Sequence, residues 1–348
     1  METVSQPASP ENVFVTGATG YIGSALLRAA NASGYKVYAL ARSETSAAQI
    51  HSLGATPVMG DLCNETGAWT SKALKADAIV HLAQPKTFGG RITNRRARRY
   101  RNQRLAMERA LWGALDPRRV RRIVYVAGTS YYGECGSRLR DEKTTPSPRG
   151  WGPYMAPSIE ALDEHIARGL PIVSAFPGWV YGPGSWFAEY VLQPLHASKP
   201  VTGLSGRSRL VSPVHVDDCA RAILHLLLVG EIGQRYFVVD DEPATTERIA
   251  RLAAKSLGAP SRGRRVPKLV LRLLAGRVIA ESLATESCLS NAHLRATGFQ
   301  PAFSTCEEGV PDVVATWLRT VASKPQKTVA ARQHYYRAEY RAVSGRFS

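Results

Sequence analysis

The chain has 348 residues, 44% of them hydrophobic, and a formal net charge of +17. That length buries one large core or two modest ones, and the longest apolar run, near 222–229, is far short of the roughly 20 residues a bilayer-spanning helix needs. Five scattered cysteines without a Cys-x-x-Cys pair argue against a disulfide framework or a metal site and suit a reducing, cytoplasmic compartment.

Residues 1–11 carry no apolar core and read as a flexible lead-in rather than a signal peptide. The run Val13-Phe14-Val15-Thr16 then reads as a strand that breaks into Gly17, Gly20 and Gly23 and resumes as a helix over 21–32. Such a turn aims backbone N–H groups and the positive helix end at phosphate, and glycine lets the backbone come close. Gly17, Thr19, Gly20, Tyr21, Ile22 and Gly23 are therefore the expected grip on a dinucleotide pyrophosphate.

Further strands are expected at 36–41, 57–61, 78–83, 122–127 and 171–176, alternating with helices at 46–53, 67–75, 95–115 and 157–168. Strands joined by helices of this length favour an α/β fold with a doubly wound parallel sheet, a Rossmann arrangement with ligand at the carboxyl ends of the strands. Residues 12–180 form the expected dinucleotide-binding domain, and 181–323 supply mainly a smaller, interleaved substrate-binding part. A basic tail occupies 324–348.

The second strand ends without the carboxylate that would hold a ribose 2′-hydroxyl. Arg42-Ser43 stands there instead, which favours NADP over NAD, with Glu44 the residue that would reverse the choice if it turned inward. Asp61 and Leu62 are placed to reach the adenine, and Leu82, Ala83 and Gln84 to border the ribose and nicotinamide.

Seven arginines (Arg91, Arg95, Arg96, Arg98, Arg99, Arg101, Arg104) fall in an acid-free stretch, and a second basic cluster spans Arg262 to Arg277. A solvated helix face accounts for such runs; the sharper reading is attraction of an anionic or carrier-bound small-molecule substrate. No nucleic-acid motif accompanies them, so nucleic acid is not the expected partner.

Taken in order, Thr16-Gly17-x-x-Gly20-x-x-Gly23, Gly60-Asp61-Leu62, Val80-His81-Leu82-Ala83, Tyr132-Gly133, the run from Phe176 to Pro183 and Pro213-Val214-His215-Val216-Asp217-Asp218 resemble the extended short-chain dehydrogenases/reductases, the NAD(P)-dependent epimerase/dehydratase group. The resemblance implies cofactor contacts from Pro177, Gly178, Trp179 and Val180, and often a homodimer through two long helices, here including 95–115. It also implies a catalytic Ser or Thr and a Tyr followed four residues later by Lys. Tyr154 occupies the tyrosine position, but Ser158 stands where the lysine belongs, and Gly128 where the hydroxyl belongs. Thr129 and Ser130 are the neighbouring substitutes.

An unassisted phenol is protonated near pH 7. It can donate to a developing alkoxide but is a poor base for alcohol oxidation, so carbonyl reduction suffers least from the missing lysine. An atypical NADP-dependent carbonyl reductase is the favoured reading. The alternatives are a redox-neutral isomerase, dehydratase or cyclase, and a non-catalytic dinucleotide sensor. A replacement cation would have to come from the arginine-rich helix. His215 is expected to steady structure, Asp217 and Asp218 to cap the following helix, and His81 to be a buried strand residue. Trp151, Trp179, Trp186 and Phe187 are either pocket lining or core.

Overall fold

The computed structural model describes residues 10–63, 67–86 and 91–322; the segment 1–9 of the expected lead-in and the expected basic tail lie outside the described residues. Seven strands, β1 (Asn12–Thr16), β2 (Lys36–Ala41), β3 (Thr56–Met59), β4 (Ala78–His81), β5 (Arg122–Val126), β6 (Ile172–Pro177) and β7 (Arg235–Val238), pair in the order β7-β6-β5-β4-β1-β2-β3. Every pairing is parallel.

Alternation along each strand explains the two covered faces. Val13 and Val15 join one buried cluster and Phe14 the other. The first cluster is closed by α1 (Tyr21–Ala32), α2 (Glu44–Ser52) and the helix Val216–Val229. The second is closed by α3 (Ala68–Leu74), α4 (Asn94–Gly113) and α5 (Gly152–Glu160). Chain order reverses direction between β1 and β4, and a doubly wound sheet opens its ligand crevice at that switch point.

Three expectations need correcting. The helix expected at 157–168 begins at Gly152 and divides at Ala161, with Leu162–Ala167 as its second piece. Pro153, not Pro157, takes the first-turn position that proline favours, and Pro157 sits inside the helix. The strand β7 was not expected at all; four residues carry little periodic signal, and pairing with β6 decides their state. Capping of Val216–Val229 falls to His215, whose Nδ1 accepts the Asp217 N–H at 3.2 Å. Asp218 instead accepts the backbone N–H groups of Ala302 and Phe303, both at 2.8 Å, and pairs with Arg221 at 2.7 Å. Asp217 faces Arg28 at 3.6 Å.

Asp240, just beyond β7, is only 3% exposed and accepts the Tyr181 hydroxyl at 3.2 Å. Burial pushes its carboxyl up to about 8, against the lowering effect of the Tyr181 and His215 hydrogen bonds. The folded state therefore holds a proton that the unfolded chain releases near the ordinary carboxylate value. This contribution to stability is complete below about pH 4 and is lost as pH rises toward about 8, at no more than about 1.4 kcal/mol per pH unit. Asp240→Asn keeps an acceptor and removes the titration. Its urea midpoint is expected to gain on the wild type between pH 5 and pH 8; a gain by the wild type would contradict the assignment.

Candidate functional site

The loops leaving β1, β2, β3, β4, β5 and β6 carry nearly every residue singled out above, and in a parallel sheet all six lie at one edge. Gly17 adopts φ +73°, and a Cβ there would fall 2.6 Å from the backbone of Leu82 and Ala83. A Cβ on Gly23 would fall 2.3 Å from the Gly17 carbonyl. Both positions admit only glycine. Gly20 is exposed and precedes α1, whose N-terminus has no side-chain cap. Its first-turn N–H groups thus lack an internal acceptor, the arrangement that binds phosphate. Gln49 of α2 braces the loop from outside, its amide donating to the Thr19 carbonyl (3.4 Å) and the Ser24 hydroxyl (3.2 Å). Nothing in the sequence pattern singled Gln49 out.

The Tyr21 side chain turns inward, its hydroxyl buried where a Cβ on Gly182 would fall 2.2 Å away. Burial pushes that phenol well above its ordinary value. Ile22 packs against the first core. Both side chains are partly buried, and the Tyr21 hydroxyl faces away from the loop.

At the β2 and β3 ends, Arg42, Ser43 and Glu44 are exposed. Ser43 caps α2, its hydroxyl accepting the Ser46 N–H at 3.2 Å. Arg42 is close enough to lower the Cys63 thiol against the larger raising effect of burial, so its charge stands beside the Asp61 turn. Asp61 accepts the Cys63 N–H at 2.9 Å, whereas the Leu62 side chain is buried among Phe14, Leu40 and Trp69. Leu62 therefore supports the floor.

The β4 end is locked to β1. Thr16 Oγ1 lies 2.8 Å from His81 Nδ1, and Leu82 N–H donates to the Thr16 carbonyl at 3.1 Å. His81 is fully buried, stacked on Tyr125, and desolvation lowers its imidazole to about 3, so it is neutral. Leu82 and Ala83 border Gly17, and Gln84 is exposed. Its Oε1 accepts the Tyr100 hydroxyl at 3.2 Å.

Tyr100 belongs to the arginine-rich α4, and here the search for a substitute cation meets a physical obstacle. Arg104 is the arginine of that helix that turns inward, 1% exposed. Its Nε donates to Glu108 (2.9 Å), Nη1 to the Tyr100 hydroxyl (3.0 Å) and Nη2 to the Tyr125 hydroxyl (2.6 Å). The charge is spent on Glu108 and reaches the cleft only through the Tyr100–Gln84 link.

At the β5 end, Thr129 is buried and Ser130 half-buried in one short helical turn. A Cβ on Gly128 would lie 3.1 Å from Met155 Cε, so position 128 faces α5. A side chain there would require the flexible tip of Met155 to give way by a few tenths of an ångström. A Cβ on Gly152 would fall 2.0 Å from the Ser130 carbonyl, so α5 starts pressed against this turn. Tyr154 is in the first turn of α5, half-buried. Its ring packs with Trp151 at 6.4 Å and against the buried cluster Ile92, Ala97 and Val278, on which Ile279 also packs. Val278 and Ile279 belong to the helix Arg277–Ala284, which thereby covers Tyr154. The nearby Arg277 feels the Tyr154 phenol electrostatically but is paired with Glu281 at 2.5 Å.

One turn beyond Tyr154, Ser158 is 2% exposed and its Oγ has no hydrogen-bond partner. The lysine position thus points into the interior of the protein. Pro177, the last residue of β6, is buried, and Gly178 crosses so close to the Ser212 carbonyl that a Cβ would fall 2.1 Å from it. Trp179 and Val180 enter a short parallel pairing with Pro213–His215. Trp179 and Trp186 pack edge to face at 5.1 Å, both half-buried, and Phe187 is core. A separate groove of about 790 Å³, lined by Tyr35, Arg221, His225 and Phe299, lies at the far end of α1 and holds none of these residues.

The sequence profile of the NAD-dependent epimerase/dehydratase family matches residues 13–238. The chain belongs to this family. It is an NAD(P)-dependent enzyme, and the glycine cradle and uncapped α1 fit the dinucleotide on their own geometry. It is 26% identical over 267 residues to a 4-hydroxy-2-methyl-3-oxo-4-farnesyl-3,4-dihydroquinoline-1-oxide ketoreductase of Stigmatella aurantiaca, covering 75% of this chain and 78% of the relative. It is 26% identical over 288 residues to a 2-alkyl-3-oxoalkanoate reductase of Shewanella oneidensis, covering 76% and 70% respectively. A human epimerase-family protein crystallised with NADPH superposes with a TM-score of 0.71 at 22% identity, covering 87% of this chain and 99% of that one. Among the described residues, no helix is long and apolar enough to cross a membrane.

Proposed function

We propose that this enzyme uses NADPH to reduce a ketone on a small, largely apolar molecule, and that Tyr154 protonates the product oxygen. The observation that carries the reading is the pairing of a complete glycine cradle with a tyrosine in the first turn of α5 and a buried, unpartnered Ser158 where a lysine would sit. The cofactor, when bound, supplies the hydride. Gly17, Gly20, Gly23 and the N-terminus of α1 grip its pyrophosphate, and Leu82, Ala83, Gln84 and the 177–180 segment border its nicotinamide half. The Tyr154 hydroxyl moves a proton to the carbonyl oxygen as negative charge develops there, with Thr129 or Ser130 orienting that oxygen. Trp151 and the helix Arg277–Ala284 hold the ring of Tyr154 by packing. A protonated phenol serves in this direction without help from a cation. The two ketone-reducing relatives support the choice of reaction.

A panel of 3-oxoacyl and polycyclic ketones incubated with NADPH tests it: substrate-dependent loss of the NADPH absorbance is expected, and none across the panel would defeat the proposal. The family also contains redox-neutral enzymes, so conversion of a substrate without net NADPH consumption would move the assignment to an isomerase or dehydratase.

Arg42 underlies the preference for NADP. An added 2′-phosphate would meet its guanidinium, and no described carboxylate is paired with it. Arg42→Glu places a like charge opposite that phosphate. Its Kd for NADPH is expected to rise at least tenfold in a fluorescence titration, with Kd for NADH changed far less. Equal effects on the two cofactors would remove Arg42 from the site. Unpaired cysteines support a cytoplasmic setting.

A further inference from the structure

The helix Lys268–Ala275 has no buried residue. Leu269 is 67% exposed and Leu273 62% exposed, one turn apart on a single stripe. Lys268 and Arg272, also exposed and one turn apart, form the adjoining stripe. A helix made only for the fold would turn its leucines inward.

The fold also brings the chain's two basic clusters together. Ile92 N–H donates to the Ala275 carbonyl at 2.9 Å, and a Cβ on Gly276 would fall 2.1 Å from the Ile92 carbonyl oxygen. The end of this helix is therefore pinned to the entry of α4, where Arg91, Arg95, Arg98 and Arg99 are exposed. Among the described residues none of these four, nor Lys268 or Arg272, takes part in an ion pair. The next helix, Arg277–Ala284, is the one that covers Tyr154.

We infer that the helix Lys268–Ala275, with the start of α4, is a docking surface for an anionic lipid bilayer. Basic side chains meet the headgroups while Leu269 and Leu273 enter the acyl boundary, so the protein lies on the membrane without spanning it. Charge complementarity selects an anionic occupant. A bare polyanion such as RNA gives the leucine stripe nothing to bury in. A second copy placed symmetrically on this face would set these arginines and lysines against their own kind. Binding to the bilayer does not depend on the proposed reaction and is measured without it.

The test is sedimentation of the full chain with phosphatidylcholine vesicles, alone or with about 30% phosphatidylglycerol, at about 0.1 M and 1 M salt. Binding to the anionic vesicles at low salt, at least tenfold tighter than to neutral ones and lost at high salt, is expected. L269E/L273E should weaken it at least tenfold while leaving the melting temperature and NADPH affinity unchanged, since both side chains are exposed. K268E/R272E should do the same through charge alone and serves if the leucine variant folds poorly. No preference for anionic vesicles, or full binding by L269E/L273E, would overturn the inference. So would competition by RNA or polyglutamate that is indifferent to the leucines, which would point to a soluble polyanion. A native dimer split by L269E/L273E, without vesicle binding, would assign the face to a second copy.

Discussion

Gly17→Ala is expected to abolish useful dinucleotide binding and to lower the melting temperature. At φ +73° an L-residue sits in the left-handed region, which costs about 1–2 kcal/mol by itself. The added Cβ would also fall 2.6 Å from the Leu82 and Ala83 backbone, and neither partner can rotate away as a side chain could. The loop must therefore shift from β4, and the first-turn N–H groups of α1 shift with it. A displacement of about an ångström at a phosphate cradle is expected to raise Kd for NADPH at least tenfold. Gly34→Ala separates strain from cradle geometry. Gly34 has φ +75° but nothing within 4 Å of its Cβ position. That variant should lose stability and keep its NADPH affinity. If both variants bind alike, the glycine loop is a turn and not a cradle.

Local signals explain which parts of this fold were legible in the sequence. The passage from β1 through the glycines into α1 was readable to within one residue because strand alternation, turn chemistry and helix periodicity follow within about twenty positions. The same holds for β2 and, within a residue or two, for α4. Features that depend on distant partners were not readable. Strand β7 exists through β6, and Asp218 is held by Ala302 and Phe303. Arg104 looks like its surface neighbours in sequence, yet Glu108, Tyr100 and Tyr125 make it the buried one. In the candidate site, the departures from the family pattern were visible as letters, but their reasons were not. Gly128 faces Met155, and Ser158 points into a space without a polar partner.

The stability of the floor beneath the site should also carry a pH signature opposite to that of Asp240. Buried neutral His81, lowered to about 3, must take up a proton when the chain unfolds at mildly acidic pH. Its contribution is present above the ordinary histidine value of about 6.5 and is lost as pH falls toward about 3. The two effects oppose each other between about pH 4 and pH 6.5, so their sum falls only below about pH 4, where His81 acts alone, and above about pH 6.5, where Asp240 does.

Tyr154→Phe is expected to lower kcat for ketone reduction by about 10²- to 10⁴-fold, the range for losing a positioned proton donor. The phenyl ring keeps the packing against Trp151, Ile92, Ala97 and Val278, so folding and NADPH affinity should be retained. Unchanged turnover in Tyr154→Phe would leave the hydroxyl without a chemical role. Ser158→Lys then asks whether ionisation of the phenol controls turnover. An ammonium one turn along α5 stabilises phenolate over phenol, which aids a base and weakens an acid. At one pH the equilibrium constant ties the kcat/KM values of the two directions together, so the expected signature is a pH–rate profile for both directions moved to lower pH. The lysine must also bear the cost of entering a position that is 2% exposed, so a lower melting temperature is expected alongside. If Ser158→Lys changed turnover without moving the pH–rate profile, the phenol ionisation would not control the step, and the missing lysine would have to be understood as a loss of cofactor positioning.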